Sequence, residues 1–236
     1  LKGVRSGAFY GFRDLVAGLA GEGRAPRILA LENVVGALTS NKGADFIALC
    51  QALRALGYVF GAMTIDAARF VPQSRPRLFV IAVRGEIALS PSVISDKPGP
   101  DFASPALLRA YESMPKDLAR DWRWWRVPAP AGSNLRLIDV IEPNPRDVDW
   151  HSEAQTQRLV SMMDDVNRAK LDAALQSGER SIGAVYRRTR LDAAGKKVQR
   201  AEVRFDGLAG CLRTPGGGSS RQFLLIVEHG AVRSRL

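Results

Sequence analysis

The chain has 236 residues, 46% of them hydrophobic and 25% charged, which is enough apolar material for one large domain or two modest ones and excludes a disordered segment. A formal net charge of +10 and a pI near 10.2 favour an anionic partner, nucleic acid ahead of an acidic membrane, because no basic helix with a strongly apolar face stands out. Two distant cysteines and two histidines build neither a zinc site nor a disulfide framework, and no apolar run approaches the roughly 18 residues of a membrane span.

Phe9 to Leu19, FYGFRDLVAGL, carries apolar residues at helical spacing and is stopped by GEGRAPR, with no signal-peptide pattern ahead of it. The run ILALENVV then predicts a buried strand with Glu32 and Asn33 at its carboxyl end, which is where an open parallel sheet binds ligands. Residues 44–56 repeat the helical pattern with Phe46, Leu49, Leu53 and Leu56 on one face; Cys50 shares that face and reads as core packing. Gly57 stops this helix, YVFGAMTID reads as a strand, and after FVPQSRPR the uninterrupted apolar run Leu78 to Val83 predicts a strand covered on both faces. These alternating elements predict part of an α/β layered domain over residues 1–85.

Residues 86–222 read as a second, smaller and more irregular mixed α/β domain. It holds a proline-rich segment (SDKPGPDFASP), a tryptophan cluster (DWRWWRVPAPAG), helical stretches near 152–163 and 166–176, and a basic, strand-prone section from Ile182 to Arg204. Neither a repeat of 20 to 50 residues nor a low-complexity tract occurs. Within 223–236, FLLIVEHG is expected to return to the first domain as a strand. The chain opens on LKGVRSG and closes on VRSRL after that run, and both ends read as cut.

Three stretches carry candidate chemistry. In ALENVVGAL, Glu32 and Asn33 either cap the following loop or, in an enclosed pocket, offer a carboxyl that can donate a proton or hydrogen bond. In QSRPR, Arg75 and Arg77 are either solvated loop charges or planar donor forks for phosphate and carbonyl oxygens. In AGCLRTPGGGSSRQ, consecutive glycines let backbone N–H groups approach a ligand, two hydroxyls add donors, and Arg213 and Arg221 flank them; the alternative is a flexible linker.

ENV, then VPQSRPR, then a region closing on RFDGLAGCLRTPGGGSSRQ resemble, in that order, the motif series of the DNA cytosine-5 methyltransferases, and RSGAFYGF resembles the segment that follows that family's catalytic loop. The likeness spans nearly the whole chain. It implies part of a Rossmann-like, S-adenosylmethionine-dependent methyltransferase domain followed by a target-recognition domain. The family's Pro-Cys loop and glycine-containing cofactor motif would lie upstream of RSG and its last helix beyond VRSRL, so the chain reads as an internal part, inactive alone. Cys50 and Cys211 stand outside any Pro-Cys context.

The resemblance implies that a cytosine is flipped out of the duplex, a cysteine thiolate adds to C6, and C5 takes a methyl group from S-adenosylmethionine. Glu32 would contact N3 and the exocyclic amine, Asn33 would hold the catalytic loop, Arg77 would face the cytosine O2, and Arg75 would support the glutamate and nearby phosphates. Phe9 would pack near the cofactor adenine. DNA contacts are expected from Arg5, Ser6, Gln73, Arg187, Arg188, Arg190, Arg213, Thr214, Gly217, Gly218, Ser219, Ser220 and Arg221, with Tyr186 in the same basic stretch. The implied setting is a cytoplasmic monomer on double-stranded DNA in a bacterial or phage-infected cell. No metal or membrane is involved, and any restriction endonuclease of a restriction-modification system is linked genetically, not physically. The competing reading is a non-catalytic DNA-binding subunit or regulatory remnant of a split methyltransferase.

Overall fold

The computed structural model describes residues 7–129, 132, 134–143, 145–146, 148–192, 194–212 and 221–235. The chain divides into two compact units, residues 1–66 with 76–130 and residues 67–75 with 131–236. The first holds helix α1 (Gly7–Gly21), strand β1 (Ile28–Val34), helix α2 (Ala44–Ala55), strands β2 (Tyr58–Asp66) and β3 (Pro76–Arg84), the short strand β4 (Ile94–Ser95), helices α3 (Pro105–Glu112) and α4 (Lys116–Ala119), and the short strand β5 (Trp124–Trp125). Gly57, at φ +83° just past α2, takes the left-handed conformation that ends the helix, and its N–H donates to the Arg54 carbonyl.

The sheet runs β1-β3-β2 with both pairings antiparallel, so β1 and β2 are parallel and β3 lies reversed between them. Only residues 67–75 join β2 to β3, whereas a parallel return needs a crossover of a dozen or more residues. β3 is also not covered evenly: Leu78, Val80 and Ala82 are buried while Phe79 and Ile81 are half-buried. The buried row packs with Phe60 and Ala62 of β2, Val16 of α1, and Phe46, Cys50 and Leu53 of α2. Each large apolar side chain enclosed in this way contributes about 1.5–3 kcal/mol.

The boundary expected near residue 85 lies at 130 in the structure. Trp122 packs edge-on against Phe46 and Phe60, and Trp124 against Tyr111, so the tryptophan cluster completes the first unit's core. Burying rings of this size stabilises more than leaving them on a linker.

The second unit holds helices α5 (Leu137–Val140), α6 (Glu153–Ser161) and α7 (Asp165–Gln176) and strands β6 (Ser181–Leu191), β7 (Lys197–Arg204), β8 (Gln222–Glu228) and β9 (Ala231–Arg235). Its sheet is antiparallel in the order β7-β6-β8-β9. The FLLIVE run therefore forms the inner strand β8 of this sheet and does not return to the first unit. Phe223, Leu225 and Val227 face Leu159 of α6 and Leu171 of α7, while Ile226 faces Leu137 and Ile182, so β8 is apolar on both sides because both sides are packed. His229 and Gly230, at φ +50° and +73°, form the two-residue turn that folds β9 back on it. Among the described residues, no helix is long and apolar enough to cross a membrane.

Candidate functional site

The antiparallel β1–β3 pairing brings the carboxyl end of β1 to the amino end of β3. Val34 stands opposite Arg77 and Glu32 opposite Phe79, so strand alternation puts Glu32 and Arg77 on one face as diagonal neighbours, within reach of long side chains. Arg77 Nε lies 2.7 Å from Glu32 Oε1, and Arg77 Nη1 donates to the Pro76 carbonyl at 2.9 Å. The Arg77 side chain is only 17% exposed while that of Glu32 is 52% exposed, so a held guanidinium steadies a carboxylate that still faces solvent. A carboxyl and a planar donor fork side by side match the polar edge of a flat heterocycle.

Glu32 also borders a cavity of about 630 Å³, lined further by Phe9, Phe12, Leu31, Asn33 and Phe46. This size suits a small-molecule ligand. Ser40 and Asp45 supply its polar rim, with Ser40 Oγ donating to Asp45 Oδ2 at 2.6 Å. Asn33 Oδ1 accepts from the Val34 N–H at 2.8 Å. The structure thus brings Phe9, Glu32 and Asn33 to one cavity and adds Phe12, Ser40 and Asp45, together with Phe46, which the sequence places on an apolar helix face. Their signal was present in the helical spacing of Phe9 with Phe12 and in the sequence Asp45-Phe46, but periodicity does not tell which two helical faces converge.

The two arginines of QSRPR fall in different units. Arg75 donates through Nη1 to Cys211 Sγ at 2.9 Å and to the Leu212 carbonyl at 3.2 Å, both within the second unit. Glu32 pairs with Arg77, whereas the resemblance implies Arg75 as the support of the glutamate. Gln73, in the same segment as Arg75, bridges to Ala209. Cys50 is fully buried in the first unit's core, and burial pushes its thiol pKa up, which leaves it inert. Among the described residues no cluster of His, Cys, Asp and Glu could hold a metal ion.

In the second unit, strand alternation separates the basic residues of β6. Arg188 and Arg190 share a face with Tyr186, and Arg187 points the other way, its guanidinium 4.9 Å from the centre of the Phe223 ring. Lower on β7, Arg204 is tightly paired with Asp206, a contact that raises the arginine's pKa and holds the Asp206 carboxyl below the usual carboxylate range. Arg221 is exposed just before β8. Arg5, Ser6, Arg213, Thr214, Gly217, Gly218, Ser219 and Ser220 lie outside the described residues.

Residues 20–175 match the family model described as C-5 cytosine-specific DNA methylase. The chain is 23% identical over 201 residues to an orphan methyltransferase of Bacillus phage SPbeta, an overlap covering 85% of this chain and 42% of the phage protein. It is 25% identical over 138 residues to an orphan methyltransferase of Bacillus phage SPR, covering 58% of this chain and 30% of that protein. The chain thus spans less than half the length of these relatives. Among solved structures it is similar to the Dnmt2 methyltransferase of S. pombe, with 19% identity, a TM-score of 0.39, and coverage of 68% of this chain and 41% of that one.

Proposed function

Because this chain belongs to the C-5 cytosine-specific DNA methylase family, we propose that it is the part of a DNA cytosine-5 methyltransferase that polarises the target cytosine and grips double-stranded DNA. The observation that carries this reading is the Glu32–Arg77 pair, held at a strand mouth beside a cavity. Addition of a nucleophile to C6 of cytosine loads electrons into the ring, and groups aimed at N3 and O2 stabilise that charge where it develops. Glu32 holds a proton at N3 and accepts from the exocyclic amine, while Arg77 donates to O2. Their pairing keeps both in register without a search at the moment of reaction. The target atoms become reachable only when the base leaves the stack.

S-adenosylmethionine, when bound, supplies the electrophilic methyl group. The cavity residues suit such a ligand: Phe9 and Phe12 offer an apolar wall for a flat adenine, and the Ser40–Asp45 pair offers polar partners for ribose hydroxyls. Asn33, in turn, steadies the loop that brings the nucleophile. Neither cysteine of this chain suits that nucleophile: Cys50 is sealed in the core, and neither follows a proline. The thiol therefore comes from elsewhere in the parent protein, and the reading expects the chain alone to transfer nothing.

Incubating the full-length parent protein with duplex DNA and methyl-labelled S-adenosylmethionine, followed by nucleoside analysis, tests the proposal. The expected product is labelled 5-methylcytosine. Label on a ring-external nitrogen would overturn the assigned chemistry, and no label on DNA that the protein binds would favour the non-catalytic DNA-binding remnant.

A further inference from the structure

Among the described residues, β8 pairs with β6 from Ser181 to Tyr186, whereas β7 follows β6 out to Leu191, so residues 187–191 and 197–201 pair as a two-stranded ribbon. Five residues of strand extend about 16 Å at about 3.3 Å each, and a two-stranded ribbon is one of the two elements that B-DNA's major groove, about 12 Å wide, admits.

One face of the hairpin is arranged around the Glu202 carboxylate at the base of this ribbon. Arg188, Arg190, Arg200 and Glu202 share that face, with Arg188 directly opposite Arg200 and Glu202 opposite Tyr186. Like charges opposed across a ladder destabilise a hairpin. Glu202 answers two of them: Oε2 lies 3.1 Å from Arg188 Nε, and Oε1 accepts from Arg190 Nε at 2.6 Å and also pairs with Arg190 Nη2. Arg188 is further braced by the Tyr186 ring, 5.4 Å from its guanidinium. The two arginine side chains are 54% and 53% exposed, and the carboxylate that holds them is 27% exposed. Ion pairs this open to water contribute little stability, so the arrangement is better explained by what it does to the arginines. Holding Arg188 by its Nε and Arg190 along its Nε–Nη2 edge fixes each guanidinium plane and leaves the Nη1–Nη2 end of each to present, and that fork is the group that bonds guanine O6 and N7.

We infer that the outer β6–β7 ribbon reads guanine in the major groove through Arg188 and Arg190, with Glu202 as the residue that positions both forks. Arg187, turned to the opposite face over Phe223, takes no part in this readout. The inference rests on the DNA-binding reading above and names the base and the groove for it.

The 236-residue chain, shown to be folded by circular dichroism, is used to select duplexes from a randomised 20-base-pair pool, and the enriched duplex is then rebuilt with 7-deazaguanine, which removes N7 alone. Enrichment of guanine is expected, with affinity falling about 5- to 10-fold on the deaza substitution, the lower part of the range for a bidentate contact because O6 still accepts. Arg190→Lys keeps the charge and loses the fork, so the deaza effect should shrink toward one on the duplex selected by the parent. Glu202→Gln removes a negative charge, so it should bind the random pool more tightly yet lose the preference for guanine. A deaza effect within about twofold of one, on a duplex that is bound, overturns this inference and leaves the DNA-binding reading standing. Glu202→Gln that tightens every duplex and keeps the parent's deaza effect makes Glu202 a mere neutralising charge and overturns its positioning role. No binding to any duplex at low salt overturns both.

Discussion

Replacing Glu32 with Gln in the full-length parent separates chemistry from stability. The Glu32–Arg77 pair is 2.7 Å long, but Glu32 is 52% exposed, so water screens the attraction. A pair of this openness contributes about 0–1 kcal/mol, and Gln retains a carbonyl that can accept from Arg77, so the melting temperature should fall by no more than about 4 °C. Methyl transfer should respond very differently. Gln cannot carry an acidic proton to N3, and general acid contributions of this kind amount to about 10²- to 10⁴-fold, equivalent to about 3–5 kcal/mol of barrier. The assay is a single turnover on saturating duplex and S-adenosylmethionine, counting labelled 5-methylcytosine per folded molecule, with DNA affinity measured alongside. DNA binding should be nearly unchanged while the rate drops. A rate within about threefold of the parent, with the protein folded, would remove Glu32 from the catalytic set and leave it as a strand-end polar group.

Duplex binding by the isolated chain should weaken by roughly 10³- to 10⁵-fold between about 50 and 200 mM salt if six to ten phosphates are contacted; a flat salt response would refute the use made of the +10 charge. Gly61→Ala should destabilise the first unit by about 1–3 kcal/mol or more, because the added methyl would sit 1.8 Å from the Arg123 carbonyl and 2.8 Å from Trp125 Nε1; an unchanged melting curve would refute the close packing of β2 on residues 123–125. In native protein at pH 8, a thiol reagent should label Cys211 and spare Cys50 until the chain unfolds, since Cys50 is buried with its thiol pKa pushed up; equal labelling of both would place Cys50 outside the core.

What was legible in advance follows a physical rule. Local features read well: the helices around Phe9 and Phe46, the strands of ILALENV and YVFGAMTID, the stop at Gly57, and the polar residues Glu32 and Arg77 at strand ends all depend on short-range periodicity or a single backbone preference. Partner choice did not. The β8 run was evident as an apolar strand, but both sheets could have taken it, and the deciding sign was a two-residue His229-Gly230 turn. The reversed direction of β3 was encoded in a linker too short for a crossover, and it is this reversal that makes Glu32 and Arg77 neighbours. In a purely parallel arrangement the amino end of β3 would lie at the opposite edge of the sheet from the carboxyl end of β1, and the two charges would never meet. The same holds for Glu202, twelve positions from Arg190 in the chain and recognisable as its partner only once the hairpin register is known. The candidate chemistry of this chain is thus written in its residues, but whether those residues act together is decided by strand direction and register, which are long-range properties.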